Sequence, residues 1–96
     1  MFTKEHYGKP IEAKLSIALR RNTTKEDLAN VAVITNISFS TVRDVVYRTN
    51  SLTKSNSKAI KALVKIAQDN SLAKQLQAEG DKQFFHRLLH RPYYPH

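Results

Sequence analysis

The stretch from Val31 to Val46, VAVITNISFSTVRDVV, constrains the fold more than any other part of the chain. Its small and apolar residues fall where two short helices crossing at a tight turn need them. Val31, Ala32 and Thr35 form an inward face on the first helix, and Ala32 is small enough to let the second helix approach closely. Asn36 stands at the turn, where the chain often needs a positive φ that Gly adopts most easily and Asn next best. Ile37 fills the corner, the Ser38 hydroxyl is placed to cap a second helix, and Val42, Val45 and Val46 recur at helical spacing on its inner side. The outer side keeps Phe39, Ser40, Arg43, Asp44, Tyr47 and Arg48. An apolar inner stripe backing short polar, aromatic and basic residues is what insertion into a DNA major groove requires, so the segment reads as a helix-turn-helix. A purely structural helical hairpin satisfies the same loose pattern.

The continuation favours the first reading. From Asp44 to Ala67 the chain runs DVVYRTNSLTKSNSKAIKALVKIA. Thr41-Val42, the Val45-Val46 pair, a polar loop holding one apolar residue, Leu52, and a Ser/Thr-rich opening to a further helix follow one another without gaps. In this order, over about residues 28–67, the chain resembles the helix-turn-helix DNA-binding domain of bacterial repressors of the lactose-repressor type, one of the lambda-repressor-like domains. The resemblance implies an all-α headpiece that docks a recognition helix in the major groove. Asn36 replaces the family's usual Gly, Phe39 and Ser40 stand where its base-reading pair often lies, and Asp44 takes the place of a basic reader. The family's ligand-binding domain has no counterpart in the residues that follow, so no small-molecule effector is expected.

Composition agrees with a polyanionic partner. The 96 residues carry 16 Lys and Arg against 8 Asp and Glu, a formal net charge of +8. One domain spanning residues 1–96 is expected, with a helical extension from about residue 70. The chain has no cysteine, which excludes disulfides and thiolate metal sites. No apolar run approaches membrane-spanning length, and MFTKEHYGKP at the start is too polar for a signal-peptide core, so a cytoplasmic protein without membrane partners is expected.

The placement of charge says more than its sum. Between Val45 and Gln68 there is no acidic residue, whereas Arg48, Lys54, Lys58, Lys61 and Lys65 all lie there. The four lysines form one helical stripe opposite Ile60, Leu63, Val64 and Ala67. Such a stripe is ordinarily a solvated face. Lys54 and Lys58 start that helix next to the recognition segment, within reach of phosphates.

Elsewhere the pattern is helical throughout, and the expected architecture is an all-α compact bundle of about five helices. The first spans Pro10 to Arg21, with Ile11, Leu15, Ala18 and Leu19 inward. Thr24 and Asp27 have capping-box spacing for the helix containing Leu28, Val31 and Ala32. The recognition helix is expected over about residues 39–48, and Ser55 or Asn56 is expected to cap a helix running to about Asp69. Asn70-Ser71 fits either a new cap or a continued helix. Gly80 reads as a C-cap after Leu72, Leu76 and Ala78, and Asp81 as the opening of a last short helix with Phe84, Phe85, Leu88 and Leu89 inward, ended by Pro92.

Catalytic patterns are weak: there is no Gly-rich phosphate loop, nucleophile elbow or carboxylate cluster at helical spacing. His86 and His90 have metal-compatible spacing but no Cys or acidic third ligand nearby, so neither an enzyme nor a cofactor is expected. The sequence therefore leads to a small double-stranded-DNA-binding regulator of the phage or mobile-element kind. In this reading Ser38 and Thr41 bond phosphate, while Ser40, Arg43 and Tyr47 read base edges and Phe39 meets a thymine methyl. Asp44 either accepts from cytosine or orients Arg43 or Arg48. A basic structural or assembly component of a virion or nucleoprotein is the alternative. Phe84, Phe85, Leu88 and Leu89, extended by Tyr93 and Tyr94, supply either a homodimer contact or the remainder of the monomer core.

Overall fold

A computed structural model describes residues 1–90. Four α-helices follow a single 3-10 turn at Lys4–His6: α1 (Ala13–Asn22), α2 (Lys25–Thr35), α3 (Phe39–Val46) and α4 (Lys54–Leu89). No strand occurs among the described residues. The core is built from one side of each helix. Leu19 of α1, Leu28, Val31 and Ala32 of α2, and Val42, Val45 and Val46 of α3 close onto Ala59, Ile60 and Leu63 of α4.

Local chemistry fixes the helix ends. Thr24 accepts from the Asp27 amide while the Asp27 carboxylate accepts from the Thr24 amide, the reciprocal box anticipated from their spacing. α2 stops at Asn36, which adopts φ 56°, and the Ile37 amide folds back to the Ala32 carbonyl at 3.0 Å. Ser38 then caps α3 by accepting from the Thr41 amide. In the run VAVI the helical period separates Val31 and Ala32, which are buried, from Val33 and Ile34, which are about 80% exposed.

Long-range hydrogen bonds tie the end of α3 and the segment before α1 into the body. The buried Ser16 hydroxyl donates to the Val46 carbonyl at 2.6 Å and so satisfies the end of α3 from the middle of α1. Gly8 and Lys9 pair with both backbone groups of Leu52, and the Arg48 Nε donates to the Ile11 carbonyl. The loop after α3 is thereby stitched to the segment before α1, and Leu52 is buried beneath it.

Several expected boundaries shift. α1 begins at Ala13 rather than Pro10, although Ile11 is still buried. α3 ends at Val46, with Tyr47 as its cap, so the helix does not reach residue 48. α4 is capped by Thr53 rather than by Ser55 or Asn56; Asn56 lies at its third position, buried, and its side chain serves the Thr53 amide and the Ser51 carbonyl.

The larger correction concerns the C-terminal third. Asn70-Ser71 starts no new helix, because the Asn70 amide side chain bonds the Asn22 carbonyl at the end of α1 instead of capping. Gly80 is an interior residue of α4, and no separate last helix opens at Asp81. A mid-helix Gly costs about 1 kcal/mol relative to Ala. The Ala, Leu, Lys, Gln and Glu residues around it are strong helix formers and carry the helix across. The five expected helices are thus four, and the fifth is the last quarter of α4.

That continuity changes the shape. The molecule measures 63 × 25 × 19 Å with a radius of gyration of 18.8 Å, against about 13 Å for a compact domain of this size. It is a small helical body with a projecting rod rather than a compact bundle. Phe84, Phe85 and Leu89 lie at least half exposed on the rod and do not face inward as expected. Leu88 is half-buried. Tyr93 and Tyr94 fall outside the described residues.

Candidate nucleic-acid interface

α3 is eight residues long and is held from behind by three valines, each at most 1% exposed. The backbone positions from which its remaining side chains project are therefore fixed relative to the body. Ser40, Arg43 and Tyr47 are exposed, and Thr41 and Asp44 are half-buried beside them. Phe39 is also half-buried and packs on the core, which leaves only part of its ring for an external contact.

Neighbouring side chains organise this surface. The Ser38 hydroxyl donates to Thr41 Oγ1 at 2.8 Å, so the two hydroxyls form one polar point at the start of the helix. There the Phe39 and Ser40 amides precede the first helical hydrogen bonds, and the helix dipole favours an anion. The Arg43 Nε lies 3.2 Å from Asp44 Oδ1, and its guanidinium carbon stands 6.0 Å from the centre of the Phe39 ring. An exposed ion pair of this kind contributes about 0–1 kcal/mol to stability. Its consequence is positional. Asp44 engages the Nε and leaves the two terminal nitrogens of Arg43 directed elsewhere. Of the two roles open to Asp44, the structure contains the orientation of Arg43.

Arg20 and Lys25 were not singled out from sequence. Arg20, at the end of α1, places its guanidinium 5.3 Å from the centre of the Tyr47 ring. Together with Lys25 and Arg43 it opens onto a cleft of about 280 Å³ between the start of α2 and the side of α3. No carboxylate lines this cleft among the described residues. Arg20-Arg21 at a helix end and a Lys directly after the Thr24 cap were visible signals, but only the crossing of α1 against α3 shows that they share a face with Arg43.

The remaining expected residues divide. Arg48 leaves the helix in a left-handed conformation, φ 64°, and its Nε is used on the Ile11 carbonyl, so it does not belong to the outer face of α3. Lys54 and Lys58 are exposed on the first turns of α4, where no acidic residue stands. Lys61 and Lys65 continue the exposed stripe, opposite the buried Ile60 and Leu63. The His86 and His90 rings are 4.2 Å apart, with no third metal-ligating group beside them among the described residues. No helix among the described residues is long and apolar enough to cross a membrane. Comparison with known proteins matches no family model, no curated protein and no solved structure to this chain.

Proposed function

We propose that the protein binds double-stranded DNA with sequence preference, α2, the Asn36 turn and α3 acting as a helix-turn-helix that sets α3 in the major groove. Transcriptional regulation of the phage or mobile-element kind is the role this reading gives it. The observation that carries it is the exposed row of Ser40 and Arg43, continued by the cap residue Tyr47, on a short helix whose opposite side is locked by buried valines. A major groove about 12 Å wide admits one helix, and an Arg with free terminal nitrogens pairs with the O6 and N7 of guanine. Asp44 holds Arg43 from its Nε side and leaves that fork available.

Around the helix the charges suit the flanking backbone. Arg20 and Lys25 lie on one side of α3, and Lys54 and Lys58 follow the loop on its other end. Ser38 and Thr41 give hydroxyls at the helix start, where a phosphate oxygen is favoured by dipole and amides together. Arg48 contributes charge to the loop rather than a base contact.

The test separates base reading from phosphate contact. Arg43→Ala is expected to lose about 1 to 3 kcal/mol on the preferred duplex and far less on random duplex. Lys58→Ala is expected to weaken both alike and to lower the salt slope by about one unit. Titration by fluorescence anisotropy at several salt concentrations reads both effects. Equal losses for Arg43→Ala on the two duplexes would remove it from base readout.

A further inference from the structure

α4 carries the same apolar pattern twice. Ala59, Ile60, Leu63 and Val64 form the face against which α1, α2 and α3 pack. Phe84, Phe85, Leu88 and Leu89 repeat that spacing about 25 residues later, close to seven helical turns, and therefore lie on nearly the same side of the rod. The body ends before this second face begins. Its last ties to α4 are Asn70 to the Asn22 carbonyl and Lys74 to the Arg21 carbonyl. Every residue from 71 to 87 is exposed.

We infer that this outer face, centred on Phe85 and Leu88, is a self-association surface and that its occupant is the same face of a second copy of this chain. Three features select that occupant. Gln83, His86, Arg87 and His90 fall on the opposite side of the helix, while Asp81 lies on the apolar side one turn before Phe85 and Lys82 flanks it, so two copies meet without bringing His86, Arg87 and His90 together. With Phe84, Phe85 and Leu89 at least half exposed and Leu88 half-buried, the four side chains expose on the order of 400 Å² of apolar surface, within the size range that is often functional. Paired with itself and its polar margin, such a patch approaches the roughly 1,200 Å² at the lower end of specific interfaces, which fits a dimer of micromolar strength. Finally, most helical stability in proteins comes from tertiary packing of an amphipathic face, and the segment of α4 beyond Lys74 receives none from the body. Packing against a second helix supplies the missing tertiary support, in the way α1 to α3 support the first half.

Association through the rod is independent of DNA binding and is measured without DNA. In sedimentation equilibrium the full-length chain is expected to populate a dimer at tens of micromolar. Phe85→Glu with Leu88→Glu is expected to weaken it on the order of 100-fold or more, as for the loss of central apolar anchors. Both positions lie outside the core, so the body is expected to keep its helicity and cooperative unfolding. Leu76→Glu, on the far side of the same helix, is expected to leave the dimer intact. A chain that stays monomeric to millimolar concentration would overturn the inference, as would a dimer that survives the double substitution or dissociates equally with Leu76→Glu. A monomer that binds anionic vesicles through Phe85 and Leu88 would assign the face to a membrane surface instead, and would overturn it too.

Discussion

At Asn36 and Ala32, single residues decide whether two helices can cross. Asn36 adopts φ 56°, a conformation strained for most side chains and free for Gly. Asn36→Gly is therefore expected to be neutral or mildly stabilising, because relief in the folded state offsets the greater freedom of Gly in the unfolded chain. Ala32 is 8% exposed and accepts the backbone bond that closes the turn. Ala32→Leu adds bulk between α2 and its neighbours and is expected to lower stability by about 1 to 3 kcal/mol. Urea unfolding of both variants checks the pair. An unchanged midpoint for Ala32→Leu would show that the crossing has room to spare. Both positions were legible in the sequence because local backbone and packing demands select few residue types there. Arg48 was not. Its spacing continues the outer face of α3, but the helix ends at Val46, where the buried Ser16 hydroxyl takes the Val46 carbonyl, and Arg48 turns to Ile11. Neither partner is near in sequence, so no local pattern announces them.

Among the elements, α2 and α3 followed from capping and periodicity, whereas α4 did not. Thr24 with Asp27, and Ser38, set the starts of α2 and α3 as their spacings suggest. For α4, Gly80 and Asp81 imitate a stop and a start. A Gly stop requires a left-handed residue that closes the helix, and Gly80 has instead a helical backbone within a run of strong helix formers. Nothing stands within 4 Å of a Cβ built at Gly80. Gly80→Ala is accordingly expected to stabilise the rod locally by about 1 kcal/mol. The readout is slower amide hydrogen exchange around residues 76–85, with little change in the unfolding midpoint of the body. Unchanged or faster exchange there would argue for a helix break at Gly80. The aromatic residues beyond it illustrate a second limit. Amphipathic spacing shows that Phe84, Phe85, Leu88 and Leu89 share a side, but it cannot say whether the covering surface belongs to the same chain.

For the molecule as a whole, the arrangement joins a small cationic body to a long rod. The formal charge of +8 and the exposed lysines of α4 give a polyanion an attractive surface of no particular sequence, while α3 offers the directional groups. If these two contributions act as proposed, binding has a steep salt dependence and a sequence preference resting on a few side chains. A basic assembly protein would share the first property and lack the second. Selection of bound fragments from a random duplex pool separates them most directly. The account predicts enrichment of a short motif containing guanine at the position read by Arg43, with that position relaxing in a parallel selection with Arg43→Ala. A pool that emerges unenriched, although the protein binds duplex at low salt, would contradict the placement of α3 in the major groove.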